Sequence, residues 1–129
     1  MNLPLNGKRA LVIGSTTGIG LAIATELADA GAEVVLNGRD QARLDQALRQ
    51  VRERVPAARI IGVVADLGSE AGYQVVIERV PHTDVLVGNL SIRGIGEQQW
   101  ARLACHYGRG MAERKWGRVV MVGSALNPV

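Results

Sequence analysis

The stretch Ala10-Leu11-Val12-Ile13-Gly14-Ser15-Thr16-Thr17-Gly18-Ile19-Gly20 decides the fold. Ala10 to Ile13 is a continuous apolar run without polar alternation, the pattern of a strand buried on both faces. Three glycines follow in the spacing Gly-x3-Gly-x-Gly. Ile19, Ile23 and Leu27 then recur at i, i+4 and i+8, the period of a helix, which Gly31 stops. A strand that turns through glycines into a helix leaves free backbone N–H groups at the helix start. Glycines let that turn be tight and let the backbone approach the oxygens of two linked phosphates. Ser15, Thr16 and Thr17 add hydroxyl donors to the same turn.

Outward from this unit the pattern repeats. Glu33-Val34-Val35-Leu36-Asn37 reads as a second strand. Asp40 can cap a helix carrying Leu44, Leu48, Val51 and Val55, which Pro56 ends. Ile60 to Val64 is a third strand, Ser69 to Val80 a weaker helix, and Asp84 to Val87 a fourth strand. Trp100, Leu103, Ala104, Tyr107 and Met111 form a helical stripe, in which Gly108 and Gly110 each cost about 1 kcal/mol relative to Ala. Arg118 to Val122 is a fifth strand. Strands alternating with helices predict an α/β fold: one domain over residues 1–129, a five-stranded parallel sheet joined by right-handed crossovers, with helices on both faces. Ligands on such sheets bind beyond the carboxyl ends of the strands, where the strand order reverses.

Composition narrows the function classes. The 129 residues are 47% apolar and 21% charged, ordinary for a globular domain. Phe is absent, and the aromatics are two Trp and two Tyr, too few for a base-stacking nucleic-acid surface. The net charge of +3 favours a small anionic ligand and is too mild to imply DNA. The one cysteine, Cys105, can form no internal disulfide, which permits a reducing compartment. No apolar run approaches the roughly 20 residues of a membrane span, and no signal peptide is evident, so the expectation is a cytoplasmic protein with neither nucleic-acid nor membrane partners. Two histidines and one cysteine make a metal site improbable. Cys105 and His106, adjacent on a helix, point about 100° apart and cannot act as nucleophile and base. Arg109, Arg114, Lys115 and Arg118 read as a solvated basic face.

From Gly7 to Ser124 the chain resembles the short-chain dehydrogenases/reductases, whose fingerprint is the Gly-x3-Gly-x-Gly turn after the first strand. The resemblance implies a Rossmann-like domain, truncated after the fifth strand relative to the family. It implies that Gly14, Ser15, Thr16, Thr17, Gly18, Ile19 and Gly20 cradle the pyrophosphate of a nicotinamide dinucleotide. The second strand ends Asn37-Gly38-Arg39. An acid there would accept from a ribose 2′-hydroxyl and select NAD. Gly38 followed by Arg39 instead suits a 2′-phosphate, which a guanidinium meets with bidentate geometry, so NADP(H) is expected in preference to NAD(H). Asp66-Leu67 matches the family's adenine-reading position. Asn89 matches the second Asn of the family's Asn-Asn-Ala-Gly, while Gly88 and Ser91 depart from it.

Ser124 falls on the family's catalytic serine, which holds the substrate carbonyl. The family's proton donor lies in a Tyr-x3-Lys motif, and here Tyr73 is followed at +4 by Ile77 and Tyr107 by Met111. The implied activity is a slow carbonyl oxidoreductase on a small-molecule substrate, with its proton from water or a partner chain. The alternatives are a non-catalytic dinucleotide-binding or oligomerisation module, and a small-substrate hydrolase using Asp66, Asp84 or Glu97. An uncovered fifth strand would be an open sheet edge, so a homo-oligomer is expected.

Overall fold

A computed structural model describes residues 4–14, 18–89 and 97–122. Strands and helices alternate throughout. They are β1 (Arg9–Ile13), α1 (Gly18–Asp29), β2 (Glu33–Gly38), α2 (Gln41–Arg54), β3 (Arg59–Val64), α3 (Glu70–Arg79), β4 (Val85–Asn89), α4 (Glu97–Arg114) and β5 (Arg118–Val122). The sheet order is β3-β2-β1-β4-β5. Every neighbouring pair is parallel, Leu11 lying opposite both Val35 and Leu86. The chain builds outward from β1 to β3, then crosses back to place β4 on the other side of β1. The order therefore reverses between β1 and β4, and the carboxyl ends of those strands are where sheets of this kind hold their ligands.

Side chains of β1 alternate between the two faces of the sheet. Leu11 and Ile13 join Val35, Val63, Leu86, Tyr73, Val76, Leu103 and Tyr107 under α3 and α4. Ala10 and Val12 join Val34, Leu36, Leu44, Val51 and Val87 under α1 and α2. Burying each of the larger aliphatic side chains contributes roughly 1.5–3 kcal/mol.

Helix α1 departs from the sequence expectation. The residues it buries are Gly20, Ala24 and Ala28, not the Ile19-Ile23-Leu27 stripe. Small residues let the helix axis approach the sheet closely, and the long side chains then splay to its flank. Ile19 remains 58% exposed, and Ile23 and Leu27 only brace the edge of the core. Helix α2 follows expectation. Asp40 caps it, Oδ1 accepting from the N–H of Ala42 at 2.9 Å and of Arg43 at 3.4 Å, and Leu44, Ala47 and Val51 face inward. Helix α4 buries Trp100, Leu103, Tyr107 and Met111, as its spacing predicts.

Candidate dinucleotide site

Each expected site residue that is described stands at the carboxyl edge of the sheet. Gly14 leaves β1 with φ 69° and Gly18 opens α1 with φ 59°. Both lie in the left-handed region, which costs an ordinary side chain about 1–2 kcal/mol. A Cβ at Gly18 would meet nothing within 4 Å, so conformation rather than crowding asks for glycine there. The first turn of α1 contains no acidic side chain. Its free N–H groups and the positive end of its dipole are thus unopposed, which suits an anion. Gly20 is buried against the sheet, and Ile19 stands exposed beside the turn. Ser15, Thr16, Thr17 and Ser124 lie outside the described residues.

The next two strands carry the remaining groups. Arg39 follows β2 and is exposed; among the described residues no carboxylate lies within ion-pairing distance of it. Asp66 follows β3, the strand paired with β2, and is also exposed. Its Oδ1 accepts from the N–H of Gly68 at 2.8 Å, and its carbonyl accepts from the hydroxyl of Ser69 at 2.9 Å. Ser69 in turn caps α3, its Oγ accepting from the N–H of Gly72 at 3.0 Å. These bonds orient the Asp66 carboxylate within a tight turn. Asn89 closes β4 at the same edge, opposite Val122 of β5. From the point where the strand order reverses outward, the edge thus presents Asn89, Gly14, Arg39 and Asp66 in line.

Two expected contacts are placed differently from the rest. The Asn37 side chain is 3% exposed, and its Nδ2 donates to the carbonyls of Val63 and Ala65, each at 3.2 Å. Leu67 is buried among the apolar side chains under α3, so only its backbone can face the crevice.

Gly72, which the motif reading did not name, and Gly88, which it noted only as a departure from the family pattern, also shape the site. A Cβ at Gly72 would collide with the backbone carbonyl of Asp66, and one at Gly88 with the ring of Trp100. Trp100 thus fills the space left where the family pattern carries a larger residue. The sequence signals were a glycine three residues after the Ser69 cap and an aromatic that opens a helical stripe.

The opposite edge of the sheet does structural work. Asp84 accepts from the N–H of Arg9 at 2.9 Å and lies 3.7 Å from the Arg114 guanidinium. Arg114 also donates to the carbonyl of Thr83 at 3.0 Å, and Arg118 stacks on Trp116. Part of the expected solvated basic face therefore pins the end of α4 to the sheet. Asp84 and Asp66 sit at opposite ends of the strands and form no carboxylate pair with each other. His106 lies 3.2 Å from the carbonyl of Pro81, and Cys105 is exposed. Among the described residues no group of His, Cys, Asp or Glu could hold a metal ion, and no helix is long and apolar enough to cross a membrane.

A model of the short chain dehydrogenase family matches residues 8–106. The chain is 36% identical to the uncharacterized oxidoreductase YvaG of Bacillus subtilis (strain 168), over 96% of this chain and 53% of that protein. It is 32% identical to D-beta-hydroxybutyrate dehydrogenase of Cupriavidus necator, over 93% of this chain and 54% of that one. The fold matches L-sorbose reductase from Gluconobacter frateurii, solved with NADPH and L-sorbose, with a TM-score of 0.74 and 31% identity over 94% of this chain and 54% of that one. The chain thus spans about half the length of the relatives it matches. The glycine turn, the parallel sheet and the match through residue 106 agree: the chain belongs to the short chain dehydrogenase family.

Proposed function

We propose that this chain binds NADP(H), in preference to NAD(H), as the cofactor half of a carbonyl oxidoreductase acting on a small molecule. The observation that carries the reading is the line of groups at the carboxyl edge: Gly14 and Gly18 beside an acid-free helix start, then Arg39, then Asp66 after the neighbouring strand. The turn fits a pyrophosphate, Arg39 fits a 2′-phosphate, and Asp66 fits the adenine amino group. Gly38 stands where an acid would repel that phosphate. The sorbose reductase neighbour is itself an NADPH complex. A bound nicotinamide supplies or accepts hydride. The chain's own part is to grip the adenosine end and orient the rest over the crevice, with Ser124 as the candidate to hold a substrate carbonyl.

A second reading, a dinucleotide-binding module without chemistry of its own, is favoured by one observation. Tyr107 is buried and donates its hydroxyl to the carbonyl of Val80 at 2.7 Å, at the amino edge of the sheet. Tyr73 lies under the Arg102 guanidinium at 3.8 Å. The Tyr107 phenol is thus engaged away from the crevice, and neither tyrosine is followed by the lysine that would activate it. Self-association belongs to the same proposal. On the edge strand β5, Val119, Val120 and Met121 are 46%, 45% and 50% exposed, an apolar template for another strand.

Thermal melts with NADPH and with NADH test the main reading. Saturation at about 100 times Kd stabilises by about 2.7 kcal/mol, a rise in Tm of roughly 10 °C for a domain this size. NADPH should raise Tm at lower concentration than NADH. No shift with either would overturn the proposal. NADPH oxidation against a carbonyl panel separates the catalytic reading from the binding-only one.

A further inference from the structure

Asn37 and Thr83 are the buried polar side chains of the described core. Thr83 ties down the amino edge, its hydroxyl donating to the carbonyl of Arg9 at 2.9 Å. Asn37 stands at the other edge, one residue before β2 ends. The paired register of β2 and β3 stops at Gly38 opposite Val64. Beyond that point the two segments part. Gly38-Arg39 leads to α2 on one face of the sheet, and Ala65-Asp66 leads to α3 on the other. The last ladder contact is the N–H of Ala65 donating to the carbonyl of Gly38 at 3.0 Å. Asn37 Nδ2 straddles this fork, donating to Val63 and to Ala65 on either side of Val64.

We propose that Asn37 is a positioning residue for cofactor choice. Its amide clamps the fork so that the Arg39 guanidinium and the Asp66 carboxylate are held at one spacing, matched to a 2′-phosphorylated adenosine. This rests on the dinucleotide reading above and deepens it. Asn37 meets the carbonyls of Val63 and Ala65, and it acts on the ligand through the backbone that carries the two charged side chains. A Val or Thr at this buried position would fill the space but could not donate two bonds from one atom. An Asp would turn an acceptor toward two carbonyl oxygens.

The probe is adenosine 2′,5′-bisphosphate, which carries the adenine and the 2′-phosphate without the nicotinamide. Calorimetric titration of wild type, Asn37→Asp, Asn37→Ser, Arg39→Ala and the Asn37→Ser/Arg39→Ala double variant gives Kd and the fraction of competent protein separately. A merely structural role for Asn37 would lower the competent fraction and Tm and leave Kd of the folded protein unchanged. The expected result is a rise in Kd of tenfold or more for Asn37→Asp. Asn37→Ser, which keeps one donor and covers the case in which Asn37→Asp fails to fold, should raise Kd about threefold or more. In the Arg39→Ala background Asn37→Ser should change Kd by less than twofold. An Asn37→Ser protein that binds the probe as wild type does, or an equal loss with and without Arg39, would overturn the positioning role. Wild type that binds neither the probe nor NADPH would instead overturn the dinucleotide reading beneath it.

Discussion

Gly72 sets two effects of opposite sign against each other. It lies in α3, three residues past the Ser69 cap, and its backbone is helical. Helix propensity alone favours Gly72→Ala by roughly 0.8–1 kcal/mol. The added Cβ, however, would strike the carbonyl oxygen of Asp66 and lie 2.9 Å from the Asp66 nitrogen. Those are backbone atoms in a turn held by Gly68 and Ser69, so no side chain can swing aside. Overpacking of this kind costs about 1–3 kcal/mol or more, which exceeds the propensity gain. Gly108 in α4 is the control, since a Cβ there meets nothing within 4 Å. Urea denaturation followed by circular dichroism should show Gly108→Ala more stable than wild type by about 0.5–1 kcal/mol. Gly72→Ala should be less stable than wild type, by up to about 2 kcal/mol once the propensity gain is subtracted. The Gly72→Ala protein should also bind NADPH more weakly, because relief of the clash moves Asp66. A Gly72→Ala protein as stable as Gly108→Ala would refute the reasoning, since crowding would then have no part in the choice of glycine at position 72.

Four other outcomes are expected. Arg39→Asp should weaken NADPH at least tenfold, a loss of about 1.4 kcal/mol or more, while leaving NADH within about threefold; equal loss for both in parallel titrations would remove Arg39 from the phosphate. Gly18→Ala should cost about 1–2 kcal/mol of stability through its left-handed backbone, with no crowding to add to it, read from the shift of the urea midpoint. Burial pushes the Tyr107 phenol well above its ordinary range, with a smaller push from Tyr73. Both folded and unfolded chains keep that proton below about pH 10. Above it the unfolded chain ionises first, so stability should fall as pH rises, by up to about 1.4 kcal/mol per unit, until the folded phenol ionises too. Tyr107→Phe should remove that part of the alkaline loss and, by orphaning the Val80 carbonyl, cost about 1–2 kcal/mol at neutral pH; unchanged alkaline slopes in the two proteins would count against it. Val120→Lys should lower the mass of any assembly seen by light scattering, and a wild type that stays monomeric at all concentrations would dispose of the edge-pairing proposal.

The local chemistry of the chain was sufficient for the order of elements. The apolar runs from Ala10 and Val34 can only be buried strands, Asp40 and Pro56 bracket α2, and the Trp100–Met111 spacing predicts the buried stripe of α4. The glycine turn was legible because its residues are contiguous and because glycine is the residue that tolerates its backbone, as φ at Gly14 and Gly18 shows. Contacts between distant segments were not legible. Which face of α1 goes inward depends on how near the sheet lies, and closeness favoured Gly20, Ala24 and Ala28 over the larger stripe. Gly72 and Gly88 become necessary only when Asp66 and Trp100 are brought against them. Asn37 read as one more polar residue near a ligand until the fork between β2 and β3 placed two carbonyls within reach of its amide. Short-range conformational preference is written residue by residue and so determined the elements and the turn. Steric exclusion and buried hydrogen bonding act between groups that the chain separates by up to tens of residues, and these the tertiary structure alone decided.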